Sequence, residues 1–325
     1  TRKLDPLFES PFVSVMMFKN IENISVISGL QPDRLIKYYV SDDSCRAEVV
    51  LPGIWYTDFD RKVGGKWMLS SIVKTFEAIR FAVLPAGFIN YSILRDRNHT
   101  LFMAGAVYNF SLGFHALSSK THWGPLFPIR ATILLSHVGT SSFTLDIVMR
   151  NDSTGEQLAS CVSKFVYVDF ITRKPSPVPS WFLEYQKNVD KSLNITVEKP
   201  NLLKIPEKCF TFTLRVYFSD TDSNGHVNQS TYVRWCSDVG SFAATSGYYR
   251  NFREEIGVYP LASLEIHYLG EMQEEDRAVV HTWQDETNFR ELYFCVTKSS
   301  KPVFQAHFHF ANDVPFVSPF IKSKI

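Results

Sequence analysis

The sequence predicts an α+β fold built from one scheme used twice, a long helix followed by an antiparallel meander of strands. Two helical stripes, two sets of strand-like runs and one proline-rich break between them carry that prediction. Tyr232, Trp235, Cys236, Val239, Phe242 and Ala243 fall at steps of three and four, the spacing of a buried helix face. Ile72, Phe76, Ile79 and Val83 make a similar stripe in the first half, ended by Pro85 and Gly87. After each stripe come runs that alternate or are rich in Val, Phe and Tyr. A sheet with one apolar face must bury it, and the striped helix of each half is the available partner.

In chain order, the first half opens with residues 54–60, which include Asp58 and Asp60, and with Gly64 and Gly65 ahead of its helix. Strands are expected at 101–114, 129–138, 142–150 and 157–169, with a hairpin turn at 151–155. Residues 173–179 (Arg-Lys-Pro-Ser-Pro-Val-Pro) favour a stiff, extended connector. A short polar helix is expected at 181–193, then a loop containing Pro200 and Pro206, so 171–208 reads as a linker. The second half repeats the order: a strand into 220–222, a glycine, a helix, then strands at 261–269, 277–284, 290–298 and 302–312.

Composition limits the function classes. Lys+Arg 34 against Asp+Glu 33 leaves almost no net field, which disfavours nucleic acid or an anionic membrane as a general partner. No apolar run approaches the roughly 20 residues of a membrane span. Cys45, Cys161, Cys209, Cys236 and Cys295 are scattered and contain no CxxC, which argues against a disulfide framework or a zinc site and for a reducing compartment. N-x-S/T sequons at Asn23, Asn90, Asn98, Asn109, Asn151, Asn194 and Asn228 point the other way. Several fall in expected strands or in the motif below, where a glycan would not fit, and they read as coincidental. The expected location is cytoplasmic or an organellar lumen, with a secretory one left open by the sequons. The chain starts at Thr1 without methionine, so a missing targeting segment is not judged from it.

The chemistry concentrates at residues 220–228 (Asp-Thr-Asp-Ser-Asn-Gly-His-Val-Asn), which run directly into the second helix. Unpaired backbone N–H groups and the positive end of the dipole at a helix mouth suit a developing oxyanion. A carboxylate there can attack a thioester carbonyl or deprotonate water, and an imidazole can orient or protonate at neutral pH. The structural alternatives are a helix N-cap for Asp222 or Asn228 and a backbone brace for Asp220. No phosphate loop, nucleophile elbow or dinucleotide fingerprint occurs. His267, His281, His307 and His309 lie in expected strands without metal-ligand spacing.

Asp220, Asp222, Asn224, His226, Val227, Asn228, Tyr232 and Trp235 resemble the Asp-x-Asp-x-Asn-x-His-Val-Asn block of the acyl-ACP thioesterases, within the 4-hydroxybenzoyl-CoA thioesterase superfamily. Gln229 replaces that family's second asparagine, and Met272 stands where it has a cysteine after a catalytic glutamate, here Glu271. The resemblance implies two tandem hotdog domains, each an antiparallel sheet wrapped around a long helix, forming an intrachain pseudo-dimer. It divides the chain into 1–44 of unassigned role, a non-catalytic hotdog domain at 45–170 that supplies half of an acyl groove, the linker 171–208, a catalytic hotdog domain at 209–312 and a tail at 313–325. It implies hydrolysis of acyl-CoA or acyl-ACP to fatty acid and thiol, without a cofactor or metal. Asp222, Asn224, His226 and Glu271 are the implied catalytic groups, and Gly225, Val227, Asn228 and Tyr232 the substrate-binding ones. Beyond the acyl-CoA or acyl carrier protein substrate, a second copy of the chain in a homodimer stays open as a partner. Lys66, Trp67 and Met68 occupy the corresponding region of the first half, which leaves that half without an imidazole. A catalytically weak acyl- or lipid-binding protein is the alternative from another class. A hotdog dehydratase is a third, disfavoured by the compact Asp-x-x-Gly-His-Val-Asn spacing.

Overall fold

The computed structural model describes residues 36–51, 67–96, 98–120, 128–189 and 197–311. The opening segment at 54–60 with Asp58 and Asp60, the glycines at 64 and 65, Lys66 and the tail at 313–325 lie outside them. The strands are β1 Lys37–Val40, β2 Arg46–Leu51, β3 His99–Phe110, β4 Ile129–Val138, β5 Ser142–Asn151, β6 Gln157–Asp169, β7 Phe210–Arg215, β8 Leu261–Tyr268, β9 Arg277–Gln284, β10 Glu291–Lys298 and β11 Lys301–Phe310. The α-helices are α1 Leu69–Val83, α2 Tyr91–Leu94, α3 Leu112–Lys120, α4 Ser180–Leu183 and α5 Gln229–Thr245.

These strands form one antiparallel sheet in the order β1-β2-β4-β5-β6-β3-β8-β11-β10-β9-β7. Outward from the β3–β8 junction the two sides follow the same plan, β3-β6-β5-β4-β2 and β8-β11-β10-β9-β7. β1 extends the first side by one strand, so the end of the unassigned 1–44 segment is sheet. At the junction Gly105 stands opposite His267 and Val107 opposite Glu265. A Cβ at Gly105 would meet the Ile266 carbonyl oxygen at 2.8 Å and His267 Nδ1 at 2.9 Å, so the close approach of the strands requires glycine.

α1 and α5 pack against each other and against the same face of the sheet. Phe76 of α1 meets Tyr108 edge-on at 5.4 Å, and Tyr232 of α5 stacks on Phe304 at 5.0 Å. Ile72, Phe76, Ile79 and Val83 are buried, as are Tyr232, Trp235, Cys236, Val239 and Ala243. Burial of each large side chain contributes about 1.5–3 kcal/mol, which fixes the facing of both helices. Phe242 departs from its expected stripe: it is 50% exposed and rests on Phe212 of β7, beside the sheet's outer edge.

The expected strand at 101–114 stops at Phe110, and α3 starts two residues on. The Ser111 hydroxyl accepts the Phe114 N–H at 3.1 Å, a cap that turns the chain into the helix. The expected helix at 181–193 is only α4 followed by a tighter 3-10 turn at Glu184–Lys187, with 190–196 outside the described residues. The linker is packed onto the domain: Val178, Phe182 and Val197 are buried. Val197 lies against the Gly105 backbone, and its carbonyl accepts from Lys164 Nζ at 3.3 Å.

Candidate active site

The polar motif folds as a tight loop braced at both ends. Asp220 is 3% exposed; its carboxylate accepts the Tyr217 N–H at 2.9 Å and pairs with Arg234 of α5. Asp222 then opens a hairpin. Its N–H donates to the His226 carbonyl at 2.9 Å, its carbonyl accepts from Gly225 at 3.0 Å, and its Oδ1 accepts the Asn224 N–H at 2.8 Å. Gly225 has φ +75°, a left-handed conformation that favours glycine, so its presence follows from the turn. Asn228, and not Asp222, caps α5: its Oδ1 accepts the Ser230 N–H at 2.9 Å and the Ser230 hydroxyl at 2.7 Å. Asn228 Nδ2 also lies 3.4 Å from both carboxylate oxygens of Glu77 on α1.

One backbone bond brings the distant carboxylate in. The Val227 N–H donates to the Met272 carbonyl at 2.8 Å, which docks the loop on the segment just past β8. Glu271 Oε2 consequently sits 3.3 Å from His226 Nε2. Arg173, from the turn after β6, pairs with the other oxygen of Glu271. Asp169 Oδ1 holds that turn by accepting the Ile171 N–H at 3.1 Å and the Thr172 N–H at 2.6 Å. Arg173 itself has φ +57°, a conformation that costs a non-glycine residue roughly 1–2 kcal/mol. Strain retained beside a cluster of titratable groups motivates a functional reading of the arginine.

His226 is held below its ordinary pKa, chiefly by burial and then by the Arg173 charge, while Asp222 opposes the shift. The 3.3 Å contact with Glu271 would favour the imidazolium, yet Arg173 already compensates that carboxylate. The imidazole is therefore neutral near pH 7, and Nε2 faces the carboxylate as an N–H.

Of the residues singled out in the sequence, Asp222, His226 and Glu271 come together at a half-exposed surface, with Asn224 and Gly225 at the exposed tip of the hairpin. Val227 and Tyr232 do not reach that surface. Both are buried, and the Tyr232 ring is enclosed by Trp235, Tyr268 and Phe304. Arg173 and Glu77 were not singled out. They lie 98 residues from Glu271 and 151 from Asn228, and no spacing rule connects such pairs.

An apolar cavity lies elsewhere, at the mouth of α1. Trp67, Met68, Ile72, Phe114, Ser237 and Phe308 are among its walls, and none of the motif residues is. Among the described residues no cluster of His, Cys, Asp and Glu could hold a metal, and no helix is long and apolar enough to cross a membrane.

Residues 216–313 match the family model described as the thioesterase-like superfamily. This segment holds the hairpin, α5 and the sheet from β8 to β11. The match lies within the second half of the chain. Most of the chain shares its fold with solved thioesterase structures at low identity. An acyl-ACP thioesterase from Bacteroides thetaiotaomicron aligns with TM-score 0.60 and 17% identity, covering 85% of this chain and 98% of that one. A 12:0-ACP thioesterase from Umbellularia californica aligns with TM-score 0.61 and 13% identity, covering 85% and 96%. A putative oleoyl thioesterase from Lactobacillus plantarum gives TM-score 0.58 and 14% identity over 82% and 95%. No curated protein matches the sequence significantly. The superfamily match spans both the hairpin with His226 and the segment past β8 that carries Glu271.

Proposed function

We propose that the chain hydrolyses fatty acyl thioesters, carried on CoA or acyl carrier protein, to free acid and thiol. The observation that carries this reading is the 3.3 Å contact between His226 Nε2 and Glu271 Oε2, made across the loop that Asp222 opens. We read the two sides of the sheet as tandem hotdog domains in an intrachain pseudo-dimer, with the working site on the second. Similarity of fold to acyl-ACP thioesterases along most of the chain supports both readings.

In this scheme the water oxygen bonds to the thioester carbonyl carbon while its proton passes to Glu271. The carbonyl oxygen takes the negative charge, and the His226 backbone N–H, which meets no acceptor among the described residues, is placed to receive it. When the C–S bond breaks, the proton passes from Glu271 to the departing sulfur, while His226 Nε2–H holds the carboxylate in place. Asp222 orients the imidazole, and Asn224 positions the carbonyl or the water at the loop tip. Gly225 admits the carrier arm to the backbone; Val227, Asn228 and Tyr232 support that surface from beneath. The chemistry requires no cofactor. A location in the cytoplasm or an organellar lumen suits either carrier.

The test is release of free thiol from a panel of acyl-CoA and acyl-ACP substrates, comparing the wild type with Asp222→Ala and His226→Ala. Turnover that collapses in both variants supports the reading. Wild-type silence on every thioester would leave an acyl-binding protein, and full activity in both variants would place the chemistry elsewhere.

A further inference from the structure

Five large apolar side chains stand out into solvent around the candidate site, and they come from three different elements. Phe170 and Ile171 follow β6, Tyr217 and Phe218 follow β7, and Phe81 lies in the last turn of α1. Each is more than half exposed, Ile171 at 85% and Phe218 at 78%. Contacts already made in the fold place all three elements beside the hairpin. Arg173, two residues after Ile171, pairs with Glu271. Phe218 begins the 3-10 turn that ends at Asp220. Just before it, the Val216 N–H donates to the Asp276 carbonyl at 2.9 Å and the Val216 carbonyl accepts from Glu275 at 3.1 Å, on the same segment past β8 that carries Glu271. Phe81 is one turn beyond Glu77, on the helix face that reaches Asn228.

The fold does not require apolar residues at these tips. The turn after β6 is fixed by Asp169, whose carboxylate accepts the Ile171 and Thr172 N–H groups and whose carbonyl accepts from Arg173 at 2.9 Å. The turn after β7 is fixed by Asp220 and by the Thr221 hydroxyl, which donates to the Phe218 carbonyl at 2.8 Å. Backbone and polar groups make both turns, so a polar residue at 171 or 218 would serve them as well. Single exposed apolar side chains are ordinary. Several at one end of a molecule, around a polar site, mark a surface that meets something apolar.

Charge decides between the candidates for that role. Arg173 pairs with Glu271, Arg215 with Glu275 and Arg234 with Asp220. Of the exposed charges beside them, Lys174 and Glu274 are opposite in sign. A surface so balanced offers no field to an acidic protein or an anionic membrane. The tips also stand on separate elements, so a rigid partner must match each of them, whereas the headgroup region of a bilayer yields around inserted side chains.

We propose that this end of the molecule adsorbs to a zwitterionic lipid bilayer, with Ile171 and Phe218 inserted and the hairpin facing the headgroups. Adsorption of this kind is apolar in origin, so it survives salt that screens a charged contact. It is independent of the hydrolytic reading, and it sets the candidate site where long-chain amphiphiles partition.

The experiment is sedimentation of the full chain with phosphatidylcholine vesicles, for the wild type, Ile171→Ser, Phe218→Ser, the double variant and Phe289→Ser. Phe289 is also exposed but precedes β10, level with the start of β8 and so at the far end of the sheet from Glu271. The wild type should partition onto the vesicles equally in about 0.05 M and about 0.5 M salt. Ile171→Ser and Phe218→Ser should each lower the partition coefficient by about tenfold and the double variant by about a hundredfold, while Phe289→Ser leaves it unchanged. The variants at 171 and 218 should keep the wild-type melting temperature, which separates lost binding from lost folding. No sedimentation of the wild type, an equal loss in Phe289→Ser, or binding that appears only with added phosphatidylserine and fades with salt overturns the proposal. So does a wild type that is dimeric by analytical ultracentrifugation and monomeric as the double variant, since the tips would then join two copies. Capture of acyl carrier protein by the wild type and not by the double variant, without vesicle binding, would assign the tips to a protein partner instead.

Discussion

His226 lies between a carboxylate that would charge it and a guanidinium that resists. Its pKa is lowered from the ordinary 6.5, so the neutral imidazole persists somewhat below that pH and is lost on further acidification. The acid limb of kcat/KM for thioester hydrolysis should accordingly fall below pH 6.5. Arg173→Met removes a cation that depresses the imidazole and frees Glu271 to act on it. Both changes move the limb upward, toward neutrality, and a pH–rate profile of the variant reads this directly. Asp222→Ala and His226→Ala should each lower kcat by about 10²–10⁴ while folding normally, as judged by circular dichroism. Asn228→Ala removes the cap of α5 and should cost about 1 kcal/mol of stability, measured by urea denaturation. The hairpin from Asp222 to His226 was legible because its groups are neighbours in sequence and glycine marks the turn. Arg173 and Glu77 were hidden because only the docking of distant segments brings them to the site.

At the scale of elements, Gly240 shows how tightly α5 lies on its sheet. A Cβ there would meet Ile256 Cδ1 at 2.6 Å and Phe294 Cζ at 3.0 Å. Alanine improves helix propensity by about 1 kcal/mol, whereas overpacking costs about 1–3 kcal/mol, so overpacking wins. Gly240→Ala should lower the urea midpoint, and an unchanged or raised midpoint would show that the helix can shift without penalty. Both long helices could be read from their apolar stripes, since burial and period agree. The region after Phe110 could not, because Leu112 and Phe114 continue the apolar character of β3 and only the Ser111 cap reverses the chain. The helix expected near 181 shortened for a related reason. Phe182 is buried and ring-packed against Phe143, so tertiary contact outweighs the local helical pattern.

Across the whole molecule, the β3–β8 junction joins two sheets that could each be read from the sequence but whose pairing could not. Alternation specifies a strand's faces, not which edge it meets. A shared sheet and packed helices should make unfolding cooperative, with one calorimetric transition. Two resolved transitions would mean that the halves hold together only weakly. Gly105→Val should lower the temperature of that transition more than valine at Gly155, where nothing lies within 4 Å of the added carbon and strain at φ +73° is the main cost. Joining both sides of the sheet in one chain also frees each from copying the other. A symmetric pair of separate subunits must present the same helix mouth twice, and any substitution alters both. Here the mouth of α5 carries the hairpin and its imidazole, and the mouth of α1 opens on an apolar cavity. Each end of the molecule can be selected separately, one for reactivity and the other for whatever its walls admit.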